Sequence, residues 1–539
     1  MISVTPQGQV YLCKTPLEND YKNQLTFSNK TTQLNYFNTT IQKSFSEYTY
    51  IKKDNVIRVS ENIDKIRTCN YLFYRNNGFV DENGNVRIFY CFITNMEYIN
   101  ENATAITFET DVFQTWQFEI AYKRCFIERE HVNDDTIGLH TVPEQLEMGD
   151  YVSVGNTKTT IINDPDDFYI CMGVTELPDE SVPAYSNHRT YNGVFGGLYY
   201  LAFTTSANCE TAIKMYDKVG KADAINCLFM IPKTMSSIED GTTYTWTMQS
   251  VGSCTVIYLN GSDEVDTIGN LNGTMPNTLA ENYTPKNNKL FTYPYSFMNL
   301  TNNSGTTTPF RYEDFDFDEV THQRAIGFWI DACITPGMSM KAIPLFYKNI
   351  NINYGYGIMG GKLPICSWNS DVYLNWLTQN GLNVAFDVAG GLVSTATGIA
   401  SGNIGAMMGG VTSIYNSLHQ VYLADLTPNQ AKGNTNSGDV NFSETTDGGF
   451  TLYYMSIKPE YAKIIDDYFS MFGYKINEVK MPNITGRSNW NYIKTIDCNF
   501  DGDIPQNDLN IIKTMFNNGV TLWHNPASIY NYSLNNTIV

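Results

Sequence analysis

The chain has little positive charge. Its 539 residues include 35 Lys or Arg against 55 Asp or Glu, which gives a formal net charge of −20. A protein that binds DNA by neutralising its phosphates needs the opposite balance. The composition therefore argues against a DNA-binding protein of that kind, although it permits a nucleic acid that slides past without binding.

Cysteine and histidine are sparse and do not pair in sequence. The 11 cysteines are scattered, odd in number and form no CxxC pair, so we expect reduced thiols and not a disulfide framework. No GxSxG elbow, Walker loop or HExxH pattern occurs. We therefore expect no enzyme activity, cofactor or metal. His131 is interpreted as a polar residue at a strand end and not as a general base.

The sequence begins MISVTPQGQVYL, without a basic region followed by an apolar run. A Sec-type signal peptide needs both features. We therefore expect synthesis in the cytosol and, if the protein acts outside the cell, a route other than secretion.

A single GxGxxG pattern occurs at Gly355, Gly357 and Gly360, after the strand-like residues 349–352. A dinucleotide-binding site would need a helix to begin there, so that its N-terminus faces the pyrophosphate. Pro364 follows closely, and no alternation of strands and helices surrounds the motif. The pattern therefore predicts a glycine-rich β turn.

Two carboxylate clusters resemble calcium sites only weakly. Residues 313–319 alternate acidic residues with Phe, which predicts an edge strand with one solvated face, and a calcium site is the alternative. Asp501, Asp503 and Asp508 resemble part of a calcium loop, but the required glycine and terminal glutamate positions do not match. We interpret Asp503 and Asn507 as capping residues of the helix that follows.

Aromatic residues are abundant, with 37 Tyr and 29 Phe, and they favour β-sheet. The chain is too long for one core, so two to four domains are expected. The first 133 residues predict antiparallel strands in a barrel or sandwich, from strand-like stretches at 55–59, 71–74, 86–93 after a hairpin turn at 81–84, 105–110 and 111–116. Residues 134–366 predict short strands with many turns.

Four helices are predicted from apolar spacing and end signals. They lie at 207–219, at 370–380, at 459–472 before Gly473, and at 505–516 before Asn518-Gly519. Strands are expected at 450–454 and 520–523.

One long segment carries no charge. Between Asp387 and Asp425 there is no Asp, Glu, Lys or Arg, and small residues recur at four-residue spacing, as in Gly398 with Gly402 and Gly405 with Gly409. Such spacing lets helices approach closely, and the length exceeds the ~20 residues of a membrane-spanning helix. The alternative is a buried glycine-rich core or interface loop that never meets lipid. Breaker residues at 426–434 follow.

Three groups of motifs carry a resemblance to a known family. They are Asp111–Trp116 with Phe126–Val132; Gly473–Asn477 with Pro482-Asn483 and Trp490–Tyr492; and Asp497-Cys498, Gly502–Ile504, Asn507–Leu509 and Asn518–His524. Together they resemble the distal tail knob (major tail) protein of phi29-like short-tailed phages of Gram-positive bacteria. The likeness covers about the first and last quarters of the chain and the uncharged segment with its exit.

The resemblance implies a mainly β fold with a few helices, in which the terminal parts form β-barrel-like tube domains. It implies an N-terminal tube domain, a β-rich knob insertion, a helix, a plug loop with its exit, and a C-terminal α+β tube domain, at 1–133, 134–366, 367–381, 382–440 and 441–539. It further implies a homohexameric tube, contacts with other tail proteins, and passage of phage DNA without specific binding.

In that family a long hydrophobic loop closes the lumen and is thought to insert in the host cytoplasmic membrane. Carried over, the plug spans about 382–426. Its membrane-active residues are then Val388, Leu392, Val393, Gly398, Ile399, Gly402, Ile404, Gly405, Met407, Met408, Gly409, Val411 and Ile414. The alternative function is a receptor-binding tail protein whose aromatic-rich middle recognises cell-wall glycans. A cell-wall hydrolase is a third, weaker option.

Overall fold

The computed structural model describes residues 7–80, 86–160, 168–179, 182–184, 190–191, 194–195, 198–232, 242–259, 266–303, 305–318, 323–332, 339–362, 365–369, 432–436 and 449–539. The chain divides into two compact units. The first comprises Met1–Gly149, Thr284–Leu290 and Lys458–Val539, so it is built from both ends of the chain and a short middle segment. The second comprises Asp150–Tyr283 and Phe291–Ile457.

The N-terminal part of the first unit contains nine strands and three helices among its described residues. The strands are β1 (Gly8–Cys13), β2 (Asn23–Leu25), β3 (Ile41–Tyr48), β4 (Val56–Val59), β5 (Tyr71–Val80), β6 (Val86–Asn100), β7 (Ala103–Thr110), β8 (Ile120–Ala121) and β9 (Cys125–Glu130). The helices are α1 (Lys30–Thr40), α2 (Ile63–Ile66) and α3 (Val112–Trp116).

The described residues of the second unit are mainly strands. They are β10 (Tyr151–Thr160), β11 (Phe168–Val174), β12 (Thr190–Tyr191), β13 (Val194–Phe195), β14 (Tyr199–Phe203), β15 (Ile225–Pro232), β16 (Thr242–Met248), β17 (Gly252–Tyr258), β18 (Asp266–Asn272), β19 (Ser296–Thr301), β20 (Thr307–Phe310), β21 (Phe317–Asp318), β22 (Gln323–Arg324), β23 (Gly327–Ala332), β24 (Ser339–Tyr347), β25 (Ile350–Ile352), β26 (Ile358–Lys362), β27 (Ile365–Asn369), β28 (Lys432–Asn436) and β29 (Gly449–Ile457). Among these described residues, α4 (Ser206–Lys218) is an α-helix capped by the Thr205 side chain.

The C-terminal part returns to the first unit. It contains α5 (Pro459–Phe472), β30 (Tyr474–Lys480), β31 (Trp490–Ile496), β32 (Asp501–Gly502), α6 (Gln506–Asn518) and β33 (Val520–Trp523).

The first unit contains two main sheets. A six-stranded sheet has the order β3-β1-β5-β6-β7-β4 and comes wholly from the N-terminal part. A five-stranded sheet has the order β2-β33-β31-β9-β30 and mixes strands from both chain ends. Its core includes the stacked Phe37 and Tyr71 and the adjacent indoles of Trp490 and Trp523. Burial of these large rings ties the chain ends together.

The second unit is built around a seven-stranded sheet of order β16-β17-β14-β11-β15-β27-β28. Helix α4 packs on its β17 strand. A four-stranded sheet (β10-β29-β19-β20) and a five-stranded sheet (β18-β23-β24-β25, with β26 on β24) complete the unit with two short hairpins. One continuous apolar core runs beneath them and includes Phe203, Trp246 and Phe328.

The predicted mainly β fold with a few helices is confirmed. The strands at 55–59, 71–74, 86–93, 105–110, 450–454 and 520–523 are present, as are the helices at 207–219, 459–472 and 505–516. Of the GxGxxG residues, Gly355 lies in a 3-10 turn (Tyr354–Tyr356) and Gly357 follows it, both between β25 and β26, whereas Gly360 lies within β26; no α-helix begins there. The predicted helix at 370–380 lies outside the described residues.

Four local predictions were wrong. Residues 112–116 form helix α3, because the Asp111 side chain accepts a hydrogen bond from the backbone N–H of Gln114 and starts a helix whose residues are all buried. Residues 312–314 form a 3-10 turn, and of the described part of the acidic stretch (313–318) only 317–318 form a strand. The predicted alternation fails because Phe315 is buried whereas Phe317, two residues later, is 40% exposed.

The other two errors concern helix α6 and the predicted breaker cluster. Pro505 occupies the N-cap of α6 without a side-chain hydrogen bond, so Asp503 and Asn507 do not cap it. Lys432, Gly433 and Asn434 belong to strand β28 and not to a turn, because pairing with β27 extends their backbone.

Candidate functional site

The predicted plug residues, from Val388 to Ile414, lie outside the described residues. The structure does describe the two strands that flank this segment. Strand β27 ends at Asn369 and β28 begins at Lys432, and these two residues are partners in an antiparallel ladder. The chain therefore leaves the seven-stranded sheet after Asn369 and re-enters it at the neighbouring Lys432, at the edge of that sheet.

Motifs from each of the three groups lie in the five-stranded sheet of the first unit. Strand β9, which contains the Phe126–Glu130 motif, lies between β30 and β31 from the C-terminal part. Strand β31 contains Trp490–Tyr492 and pairs with β33 on its other side. The structure therefore brings together motifs that are hundreds of residues apart in sequence.

His131 follows β9 and is buried, at 2% exposure. Its Nδ1 accepts a hydrogen bond of 2.8 Å from the backbone N–H of Tyr492, and its Nε2 donates one of 3.1 Å to the Ser470 carbonyl. Burial, with a smaller contribution from Arg487, lowers the pKa of His131 to about 3. The neutral ring therefore joins β31 and α5 at the strand end predicted from the sequence, and it is not accessible as a general base.

Glu130 beside it is completely buried. Its Oε1 lies 2.6 Å from the Lys480 Nζ, and its Oε2 accepts a hydrogen bond from the backbone N–H of Asn483. Burial raises the pKa of the Glu130 carboxyl despite these partners. The Asn483 side chain in turn donates to the His131 carbonyl. These contacts fix the loop after β30 against the end of β9.

A buried ion-pair cluster was missed by the sequence analysis. Glu144 accepts charged hydrogen bonds from Lys289 and Arg129, and the Lys289 and Glu144 side chains are each 2% exposed. The Lys289 ammonium also lies near the rings of Phe469 and Tyr474. The three charged residues come from distant parts of the sequence, so no local pattern indicates the cluster.

The segment Thr284–Leu290 is tied to α5 by a second buried carboxylate. Asp466 is completely buried and accepts hydrogen bonds from the backbone N–H groups of Lys286 and Asn287 and from the Asn287 side chain. Together with Lys289, these contacts make the middle segment an integral part of the first unit.

Asp508 has a structural partner set instead of a calcium ion. Its Oδ2 accepts a hydrogen bond of 2.8 Å from the Trp116 indole N–H and lies 2.6 Å from the Lys53 Nζ. Among the described residues no group of three or more His, Cys, Asp or Glu is arranged to bind a metal. The polar groups described above are thus committed to packing and hydrogen bonding within the fold.

None of the described helices is long and apolar enough to cross a membrane. In the described part of the chain, nine cysteines form no disulfide, and all nine are buried. Burial raises the pKa of the Cys227 thiol to about 12. These thiols are therefore poor nucleophiles.

Residues 259–537 match the family model described as the C-terminal domain of the tail knob protein gp9 of Bacillus phage phi29. This match spans more than half of the chain. The chain belongs to the tail knob protein family of phi29-like phages. Residues 8–123 also match the N-terminus of the caudoviral major tail protein. The resemblance inferred from the sequence motifs is confirmed.

Relatives of this family align over nearly the whole chain. The tail knob proteins gp9 of Bacillus phages phi29 and PZA are each 26% identical and cover 98% of this chain and 98% of their own length. The tail knob protein gp12 of bacteriophage C1 shares the fold, with a TM-score of 0.60 over 99% of this chain and 100% of its own, at 14% identity. The chain is accordingly a structural component of a phage tail.

Proposed function

We propose that the protein forms a homohexameric tube at the distal tail tip, through which the genome is ejected. The plug, residues 382–426, closes the tube before infection. On infection it leaves the lumen, inserts in the host cytoplasmic membrane and forms a path for DNA. The remaining partners are the tail proteins above the tube and at its tip.

The observation that carries this proposal is the pairing of Asn369 with Lys432. Because both ends of the intervening segment are anchored side by side, residues 370–431 can extend or withdraw without altering the strand order of the described sheet. The segment has enough chain for a helical hairpin across a bilayer, and it lacks charge between Asp387 and Asp425. A membrane-active loop needs these properties together.

The overall charge supports a conduit. With a net charge of −20, the protein repels the phosphates of DNA at a distance. A wall rich in lysine or arginine would bind the genome and slow its passage. Under this proposal residues 1–133 and 441–539 form the tube wall, residues 134–366 form the knob, and residues 367–381 lead to the plug.

Electron microscopy of the purified protein tests the assembly. We expect rings of sixfold symmetry whose centre is closed, and a variant lacking residues 388–423 should form rings of the same diameter with an open centre. Monomers, or rings of another symmetry, would contradict the hexameric tube. A closed centre in the deletion variant would contradict the plug.

A further inference from the structure

A groove of about 730 Å³ opens on the surface of the first unit, next to the start of β33. Helix α6 forms one wall with Ile511 and Met515, and Ile511 is 43% exposed. Tyr21, Tyr492 and Tyr532 also line the groove. A largely apolar groove that is open to solvent is typical of a surface that binds a partner.

Two tyrosines of this groove are fixed by hydrogen bonds. The Tyr21 hydroxyl donates one of 3.2 Å to the Thr110 carbonyl, and the Tyr532 hydroxyl donates one of 3.2 Å to the Asn23 side chain. Because these hydroxyls are engaged within the unit, the two side chains offer the groove their rings. Walls held in this way lose little conformational entropy on binding, and the rings favour an apolar partner.

An exposed apolar row is located on the same unit. Val479 of β30 pairs with Phe126 of β9, which also pairs with Ile496 of β31. Directly opposite residues of antiparallel strands lie on one face of a sheet, so these three side chains are neighbours, and we call them the apolar row. Val479 and Ile496 are 58% and 51% exposed, and Met481, two residues beyond Val479, is 49% exposed. Adjoining exposed apolar residues indicate a contact surface.

The groove and the apolar row lie towards opposite edges of one sheet. In the five-stranded order β2-β33-β31-β9-β30, groove residues Asn23, Thr521 and Tyr492 belong to the first three strands. The apolar row belongs to the last three. One copy of the chain can therefore present its row to the groove of the next copy while its own groove receives a third copy. Head-to-tail contacts of this kind form a ring when the rotation between copies closes.

Charges beside the two surfaces have opposite signs. At the row, the Arg124 guanidinium donates a hydrogen bond of 3.2 Å to the Val479 carbonyl. At the groove, two acids, Glu18 and Asp20, accompany one base, Lys22, which is paired with Asp20 at 3.1 Å. The cation at the row of one copy is thus complementary to the acidic end of the groove of the next copy.

We infer that the apolar row of one copy of the chain docks in the groove of the next copy, with Arg124 towards Asp20 and Glu18. The inference rests on the proposed hexameric tube, because it names the surfaces that join the subunits. The observations favour a second copy as the occupant, since both surfaces belong to one unit and lie towards opposite edges of its sheet. A different protein would need only one of them.

Analytical ultracentrifugation of the full-length protein tests the inference. Val479→Asp alters the row and Ile511→Asp alters the groove, and each places an unpaired charge in an apolar contact, which should weaken assembly about tenfold or more. Ile496→Asp is a second row variant with the same expected result. Ile464→Asp is the matched control, because Ile464 on α5 is 68% exposed and belongs to neither surface. The control should assemble as the wild type does, and all variants should keep the wild-type melting temperature.

A mixture of the two main variants is the sharper test. The Ile511→Asp chain keeps its row and the Val479→Asp chain keeps its groove, so one intact contact joins them and the pair cannot extend. We expect a dimer of one copy of each in the mixture, whereas each variant alone stays monomeric at concentrations where the wild type assembles. The inference would be overturned if the mixture stayed monomeric, or if Ile464→Asp blocked assembly as fully as the other variants.

The result is separable from a test of the proposed function. Hexameric rings that persist in both variants would overturn this contact but leave the hexamer intact as a proposal. Wild-type rings of another copy number that both variants dissolve would contradict the hexamer and support the contact.

Discussion

The Nζ atom of Lys289 lies 2.5 Å from Oε1 of Glu144, and both side chains are 2% exposed. Burial lowers the pKa of Lys289, and the Glu144 carboxylate opposes that shift. Arg129 is the second cationic partner of Glu144. The Glu144 carboxylate can be buried because Lys289 and Arg129 both pair with it. An unpaired buried ion carries a desolvation cost of several kcal/mol.

Replacing Lys289 by Met should therefore lower the free energy of unfolding by about 3 kcal/mol, because Glu144 keeps Arg129 but loses its buried partner. Urea denaturation monitored by circular dichroism measures the change. Lys286→Met is the matched control, since Lys286 forms an exposed ion pair of 3.4 Å with Asp467 in the same segment. The control should change stability by less than about 1 kcal/mol. If both variants lowered the free energy of unfolding equally, the buried cluster would contribute no more stability than an exposed ion pair.

Gly473 ends helix α5 with a φ of 64° and a ψ of −156°, a conformation almost restricted to glycine. An alanine Cβ there would overlap the backbone of Glu130 and His131. We expect Gly473→Ala to lower the free energy of unfolding by about 3 kcal/mol or more. Gly220→Ala is the comparison, because Gly220 also has a positive φ but nothing lies within 4 Å of its Cβ position. That variant should lose only about 1 kcal/mol. Thermal or urea unfolding of both variants measures the two losses of stability.

These positions also show what the sequence could predict. Helix α5 was predicted from Pro459, its apolar spacing and Gly473, because start, face and end signals are all local. Helix α3 was missed, since its apolar and β-branched residues suit a strand and only the Asp111 cap distinguishes it. The Glu144 cluster could not be found, because its partners meet only through tertiary folding.

The candidate site could likewise be predicted only in part from the sequence. The absence of charge between Asp387 and Asp425 is visible in the sequence. The pairing of Asn369 with Lys432 is not, because residues 432–434 have turn composition and become a strand only through the neighbouring β27.

The buried His131 predicts a specific pH dependence. Burial lowers its pKa to about 3 in the fold, against 6.5 for a histidine exposed to solvent. Between pH 6.5 and 3, His131 binds a proton in the unfolded chain but not in the folded protein. The free energy of unfolding therefore falls as pH decreases through this range, by about 1.4 kcal/mol per pH unit. This contribution is fully present above pH 6.5.

His131→Asn should reduce that slope, and urea titrations at several pH values between 4 and 7 measure it. Asp111 provides an opposite slope in both proteins, because burial raises its pKa to about 7, so its contribution cancels in the difference. Identical slopes in the variant and the wild type would contradict the neutral buried state of His131.

Charge placed in the uncharged segment should separate assembly from delivery. An Asp at the centre of a membrane helix costs about 3 kcal/mol, so phage carrying both Gly402→Asp and Gly405→Asp should assemble normal tails but fail to deliver DNA. The purified variant should also release less dye from liposomes than the wild type. Gly402→Ala with Gly405→Ala is the matched control, which adds the same Cβ atoms without charge and should preserve delivery. Because the flanking strands β27 and β28 are unchanged, ring formation seen by electron microscopy should be the same in all three proteins. Normal DNA delivery by the Asp variant would rule out membrane insertion by this segment and favour a buried interface loop that never meets lipid.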